Sequence, residues 1–231
     1  KHMEIIKDLP EVFEEFAEQR KKSFLAMKEL KDKGVPVVGA YCTYFPQEIA
    51  MAMGAATVGL CSTSDETITE AEKDLPKNLC PLIKSSYGFA KTDKCPFFYF
   101  SDVVVGETTC DGKKKMYELL GELKPMQVIH LPNIPDHERS LEMWVSELRI
   151  FAKGLEDKFQ TTITEDGLNE SIEWCNKERI QAARIYELGR YEPPAITGVR
   201  MHDIMEGEQY MFDPQEKYDK INAILDQCEK N

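Results

Sequence analysis

The chain has 231 residues, of which 42% are hydrophobic, enough apolar material to build one large domain or a domain with an appendage. Its 41 acidic and 29 basic residues give a formal net charge of −12, which argues against a general binder of nucleic acid or of anionic membranes, because such proteins rely on clustered lysine and arginine. No apolar run approaches the roughly 18 residues of a membrane-spanning helix and the start does not resemble a secretory signal, so we expect a cytoplasmic protein.

The chain begins with a helical pattern and then alternates between strand and helix. The helical pattern over residues 4–33 ends at Gly34, and two short apolar runs, 35–41 and 56–60, flank a helix that opens at Pro46. A strand, a helix and a second strand within about 27 residues are typical of a right-handed βαβ unit. The pattern therefore predicts parallel strands.

The alternation continues to about residue 135, after which only helical patterns remain. Further elements are predicted as helices over 69–73, 80–89 and 113–123, strands over 103–108 and 127–131, and late helices over 140–159, 165–191 and 214–229. Pro193, Pro194 and Gly198 are interpreted as breaks between the late helices. We thus predict an α/β fold with three parts: an N-terminal helical region (1–34), a Rossmann-like parallel sheet covered by helices (35–135) and a helical C-terminal connector (136–231).

The seven cysteines are odd in number and are expected in a reducing compartment, so they are free thiols or metal ligands rather than a disulfide framework. Cys42, Cys61 and Cys110 each follow the end of a predicted strand, and Cys80 opens a helix. Ligands of open parallel sheets bind beyond the carboxyl ends of the strands, and helix amino ends favour anionic ligands. This placement predicts a metal or redox centre.

A zinc site, an iron–sulfur cluster and simple core packing are the three alternatives for these cysteines. Structural zinc sites usually contain Cys-x₂₋₄-Cys pairs, which this chain lacks, whereas iron–sulfur clusters tolerate widely spaced thiolates. Cysteine is also among the most often buried residue types. We expect an inert role of this kind for Cys175, beside Trp174, and for Cys228, while Cys61 is left open between ligand and core.

Four stretches carry a family resemblance. Residues 41–48 (Tyr-Cys-Thr-Tyr-Phe-Pro-Gln-Glu), 79–88 (Leu-Cys-Pro-Leu-Ile-Lys-Ser-Ser-Tyr-Gly) and 106–114 (Gly-Glu-Thr-Thr-Cys-Asp-Gly-Lys-Lys) resemble the 2-hydroxyacyl-CoA dehydratase and benzoyl-CoA reductase superfamily. Residues 93–102 (Asp-Lys-Cys-Pro-Phe-Phe-Tyr-Phe-Ser-Asp) are most similar to its double-cubane-cluster proteins. The resemblance covers about residues 10–225.

The resemblance implies a cofactor and partners. Members hold iron–sulfur clusters on cysteines and receive single electrons from an ATP-dependent activator ATPase that carries its own cluster. It therefore implies a [4Fe–4S] or double-cubane [8Fe–9S] cluster on Cys42, Cys80 and Cys110, with Cys95 as fourth and Cys61 as fifth candidate, and a homo- or heterodimer. Family members continue into a second α/β domain with further cysteines, which is absent from these 231 residues.

Three functional hypotheses follow from the resemblance. The first is an iron–sulfur reductase component that passes low-potential electrons to a small substrate, the alternative is a 2-hydroxyacyl-CoA dehydratase subunit, and the second alternative is a non-catalytic fragment without a cluster. We expect the sulfurs of Cys42, Cys80 and Cys110 to lie within roughly 10 Å of one another. We also expect this chain to fold without holding a complete cluster.

Other polar residues have interpretations that need no ligand. Lys113, Lys114 and Lys115 open a predicted helix and are interpreted as a solvated face in preference to a patch that attracts phosphate or an acidic partner. The serines at 85 and 86 could contact a cluster or substrate, but capping or packing explains them equally well. Dinucleotide-binding and Walker patterns are both absent from the sequence, which predicts no ATP site within it.

Overall fold

The structure is a computed structural model that describes the backbone of residues 12–41, 44–62 and 64–229, and side chains from residue 22 onward within those ranges. The chain divides into two compact units. One runs from Lys28 to Leu168 and contains the sheet. The other combines the stretch up to Met27 with Asn169–Asn231, and its described part is helical apart from turns and connecting segments.

The sheet has four parallel strands in the order β2-β1-β3-β4. They are β1 (Val37–Tyr41), β2 (Ala56–Gly59), β3 (Val103–Glu107) and β4 (Met126–Ile129). The central strands β1 and β3 are buried along their whole length, as expected for strands covered on both faces. The predicted α/β class with a helix-covered parallel sheet is confirmed.

The strand order reverses between β1 and β3. From β1 the chain moves outward to β2 on one side, and from β3 it moves outward to β4 on the other. The two central strands pair from Val38 with Val103 to Tyr41 with Gly106. In open α/β sheets the ligand crevice lies at such a reversal, beyond the carboxyl ends of the strands.

The helices that accompany the sheet are mostly short. They are α1 (Val12–Asp32), whose last turn belongs to this unit, α2 (Gln47–Met51), α3 (Ile68–Ala71), α4 (Pro81–Lys91), α5 (Pro96–Phe100), α6 (Asp111–Gly121) and α7 (Ser140–Phe159). On one face, Phe151 and Leu155 of α7 join a buried cluster with residues of β1, β3 and β4. The predicted elements did not include α5.

Asp102, just before β3, ties three parts of the sheet unit together. Its carboxylate accepts hydrogen bonds from the Nζ of Lys31, at 2.6 and 2.7 Å, and from the backbone N–H of Val37, at 2.8 Å. The end of α1 and the starts of β1 and β3 are thereby held at one edge of the sheet, opposite the carboxyl ends of the strands.

The helical unit contains most of α8 (Glu165–Leu188), α9 (Gly198–Gly207), a 3₁₀ turn (Glu208–Tyr210) and α10 (Pro214–Glu229). Its core includes Ile185, Ile204 and Ile221, all fully buried. The interpretation of Gly198 as a break is wrong, because this glycine is the first residue of α9 and the Oγ1 of Thr197 caps the helix by accepting from the Arg200 N–H. No helix among the described residues is long and apolar enough to cross a membrane.

Candidate functional site

The candidate site is the carboxyl edge of the sheet, by which we mean the side at which the parallel strands end, at the reversal between β1 and β3. Strand β1 ends at Tyr41 and β3 at Glu107, and the chain then continues to Cys110 at the start of α6. Cys61 follows the end of β2 in the same way and is partly buried. Cys42, which follows β1 in the sequence, lies outside the described residues.

Cys80 and Cys110 open two neighbouring helices. Cys80 is the N-cap residue of α4 and Cys110 that of α6, both are exposed, and neither side chain makes a capping hydrogen bond. The amino ends of these helices touch, because a Cβ built on Gly112 would lie 2.8 Å from Ile83 Cδ1 and 2.9 Å from Leu79 Cδ1. Two exposed thiols therefore stand beside two adjoining helix amino ends, where negative charge is favoured.

Two buried tyrosines lie beneath this edge and form the floor of the candidate site. Tyr41 at the end of β1 and Tyr117 of α6 are 1% and 2% exposed, and their ring centroids are 6.2 Å apart. The Tyr117 hydroxyl donates to the Glu107 carbonyl at 3.3 Å. Its ring lies directly on Gly106, where a built Cβ would be 2.3 to 2.7 Å from the ring atoms. Sequence reasoning missed this pair, and a glycine inside an apolar strand is the signal that could have found it.

The electrostatics of the two phenols show which cysteines are near them. Burial raises the pKa of Tyr41 well above its usual value, and negative charge on Cys95, Cys61 and Tyr117 raises it further. Burial also raises the pKa of Tyr117, with smaller contributions from Glu107, Cys61 and Cys110. Because each effect weakens with distance, Cys61 lies near both phenols, Cys95 lies near Tyr41 and Cys110 lies near Tyr117.

The remaining predicted ligands are only partly tested by the structure. Cys95 is the N-cap residue of α5, and its Sγ accepts from the Phe98 N–H at 3.4 Å. Within the described ranges, which leave out Cys42, no group of three or more His, Cys, Asp or Glu side chains could hold a metal ion. The convergence of Cys42, Cys80 and Cys110 stays a prediction.

Two of the three consecutive lysines at 113–115 lie on a solvated face as predicted, and one does not. Lys114 and Lys115 are exposed and pair with Asp111 and Glu118, as expected of a solvated face. The interpretation is wrong for Lys113, which is buried because it falls on the face of α6 that packs against the rest of the unit.

The serines of α4 hold the segment after β2. The Ser86 Oγ accepts from the Ser62 N–H at 3.1 Å, and the Ser85 Oγ donates to the Ser64 carbonyl. These bonds agree with the packing interpretation. Cys175 and Cys228 are both buried in helical parts of the chain, as expected of core cysteines.

The comparisons with known proteins identify relatives. Residues 42–231 match the family model of the 2-hydroxyglutaryl-CoA dehydratase D-component. The chain is 52% identical over 222 residues to the "Putative dehydratase subunit YjiM" of Escherichia coli (strain K12), which covers 96% of this chain and 58% of that protein.

Two further relatives are more distant. The chain is 23% identical over 218 residues to the (R)-phenyllactyl-CoA dehydratase beta subunit of Clostridium sporogenes, covering 93% of this chain and 56% of that one. It is 23% identical over 189 residues to the lactoyl-CoA dehydratase subunit beta of Anaerotignum propionicum, covering 81% and 50%. The chain thus spans about half the length of the curated relatives it matches.

Proposed function

This chain belongs to the family of the 2-hydroxyglutaryl-CoA dehydratase D-component, and on that premise we propose that it is part of a 2-hydroxyacyl-CoA dehydratase subunit whose iron–sulfur cluster is held by Cys42, Cys80 and Cys110. The observation that carries the proposal is the pair of exposed, non-capping thiols of Cys80 and Cys110 at two adjoining helix starts. The names of the relatives favour this dehydratase hypothesis over the reductase that the resemblance put first.

The residues of the edge fit a cluster chemically. Thiolates are the usual ligands of iron–sulfur clusters, and helix amino ends stabilise the negative charge that such a group carries. When bound, the cluster would supply a one-electron donor and an open iron for the substrate hydroxyl. Strands β1 and β3, which end at this edge, are buried along their whole length.

The two tyrosines have a role that follows from their pKa values. A tyrosine is already protonated at neutral pH at its usual pKa of about 10, and burial raises the pKa of Tyr41 and Tyr117 further, so both phenols are neutral and add no negative charge beside the cysteines. The Tyr117 phenol is held in place by its bond to the Glu107 carbonyl. The pair thus provides a neutral, rigid floor on which a charged group can be bound.

The proposed substrate class is the thioester of a 2-hydroxy acid with coenzyme A, which loses water. Since the relatives are named as subunits, we propose a partner subunit as well, and an ATP-dependent activator as the source of the electron. Both are proposed for the whole protein, since this chain spans only about half the length of the relatives that it matches.

The test is anaerobic reconstitution with iron and sulfide, followed by gel filtration, iron analysis and measurement of 2-hydroxyacyl-CoA binding. Bound iron of up to about four atoms per chain, weakly retained, together with binding of the thioester would support the dehydratase assignment. No iron at all would favour the non-catalytic fragment and contradict the proposal.

The second candidate function is the double-cubane reductase component. It is favoured by the nearness of Cys61 and Cys95 to Tyr41 and of Cys110 to Tyr117, because together with Cys80 these cysteines offer more thiols than three cluster ligands require. Close to eight irons per chain without thioester binding would support this candidate and overturn the first.

A further inference from the structure

Lys113 occupies an unusual place for a lysine. It lies in the first turn of α6, three residues after Cys110, and heads the buried stripe that continues through Met116, Tyr117 and Leu120 at helical spacing. It is 7% exposed in a chain whose net charge is −12. Lysine is almost never buried to this extent unless it is paired.

The Lys113 ammonium has no pairing of this kind. Its Nζ is buried and has no hydrogen-bond partner in the described part of the chain, and burial lowers its pKa. The other well-buried lysines are satisfied: Lys84 donates to Glu72 and to the Lys77 carbonyl, both at 2.7 Å, and Lys217 pairs with Glu178 at 2.6 Å. An unpaired buried charge is costly, and no carboxylate of the described residues lies within hydrogen-bond distance of the Lys113 Nζ, so a bound anion would satisfy it.

The position of Lys113 in the first turn of α6 indicates where such an anion would bind. Side chains of an α-helix tilt toward its amino end, so a lysine in the first turn extends toward the start of α6 and the carboxyl edge of the sheet. Cys110 does not cap this 11-residue helix through its side chain, which leaves first-turn N–H groups available. Helix end and ammonium together favour a bound anion.

We propose that Lys113 is the charge partner of an anion bound at the amino end of α6, and that this anion is the thiolate-held iron–sulfur group. The inference rests on the proposed function. Lys113 acts through the bound group and is a positioning residue: it offsets negative charge, helps to retain the cluster and raises its reduction potential.

The first test uses the cluster-free chain. Methionine keeps the length of the lysine side chain without its charge, so Lys113→Met should melt several degrees above the wild type, because an unpaired buried charge is removed. The control Lys115→Met removes an exposed lysine of the same helix and should melt within about one degree of the wild type. A Lys113→Met chain that melts below the wild type would mean that Lys113 has a partner within the protein, and the proposal would fail.

The second test uses the chain after anaerobic reconstitution, with iron retention and midpoint potential as readouts. Lys113→Met should lose iron about tenfold faster than the wild type and have a lower potential, whereas Lys113→Arg should stay close to the wild type. Equal iron retention and potential in Lys113→Met and Lys115→Met would overturn the proposal.

Failure of the proposed function is distinguishable from failure of this inference. A wild-type chain that takes up no iron contradicts the cluster itself, whatever the melting temperatures are. If inorganic phosphate then stabilises the wild type but not Lys113→Met, the anion is an oxyanion, and the assignment to the cluster is overturned.

Discussion

The contact between Gly106 and Tyr117 is the sharpest steric constraint of the site. A methyl group at position 106 would lie 2.3 Å from Cζ, 2.5 Å from Cε1 and 2.7 Å from Cε2 of the ring. Carbon atoms without a bond between them pack at about 3.5 to 4 Å, so the ring would have to move by more than about 1 Å. It has little room to do so, because it is buried beside Tyr41 and its hydroxyl is bonded to Glu107.

We therefore expect Gly106→Ala to lower the free energy of unfolding by about 1–3.5 kcal/mol. Overpacking of a well-packed interior costs about 1–3 kcal/mol. Loss of the Tyr117 hydrogen bond adds about 1 kcal/mol. The lower entropy of alanine in the unfolded chain returns about 0.5–1 kcal/mol of this.

The assay is urea unfolding of the single and double variants. Gly121→Ala, in the helix that carries Tyr117, is the control, since the nearest atom to its built Cβ is Met126 Cβ at 4.0 Å, and it should not destabilise the chain. Removing the ring with Tyr117→Ala should make room, so the double variant should be at least about 1 kcal/mol more stable than the sum of the single effects. Additive effects, or a cost of Gly106→Ala below about 0.5 kcal/mol, would refute the steric argument.

Three further predictions concern single residues. Cys110→Ser should lose most of the iron of the reconstituted protein, whereas Cys175→Ser, at a fully buried position of α8, should retain it in iron and sulfide analysis. Asp102→Ala should cost about 1–3 kcal/mol in urea unfolding, because the Val37 N–H loses the carboxylate to which it donates at 2.8 Å. Glu208→Gln should flatten the pH dependence of stability between pH 5 and pH 8, measured by urea unfolding, because burial raises the pKa of Glu208 to about 7.

The sign of the Glu208 effect follows from proton linkage. The folded chain binds the proton of Glu208 more tightly than the unfolded chain, so the stability that this group contributes is fully present below about pH 4.5 and is lost as the pH rises through about 7. The full effect is at most about 3.5 kcal/mol. The advantage of Glu208→Gln over the wild type should therefore grow from pH 5 to pH 8, and an advantage that shrinks would contradict the assignment.

The other two predictions have equally direct contradictions. Iron loss from Cys175→Ser as large as that from Cys110→Ser would mean that α8 contributes a ligand. An Asp102→Ala chain as stable as the wild type would mean that water replaces the carboxylate at Val37 without cost.

The strands could be predicted because their sequence pattern has one simple cause. β1 and β3 are covered on both faces, so they read as continuous apolar runs, and their observed ends lie within about two residues of the predicted ones. Helices α5 and α9 could not be predicted in this way. Five residues of α5 are too few to show a period, and Gly198 was interpreted as a break although Thr197 caps the helix there.

In the site, residues that directly follow a strand end were easier to predict than residues that reach the site through the packing of a helix. Cys61 and Cys110 follow from the rule that parallel strands end at the same edge. Tyr117 reaches that edge because α6 packs on Gly106, a contact whose local sign in the sequence is the glycine within an apolar strand. The burial of Lys113 was within reach of the sequence, because it shares the helical spacing of Met116, Tyr117 and Leu120.

The strand order also has a consequence for how the molecule folds. β1 and β2 pair between positions 19 apart, as in Val37 with Ala56, but β1 and β3 pair between positions 65 apart, as in Val38 with Val103. Closing the longer loop costs about 1 kcal/mol more in chain entropy, and distant pairings form slowly. We expect each outer strand to join its central neighbour first and the two halves to meet afterwards, so that the cysteine-bearing crevice is created in the last step of sheet assembly.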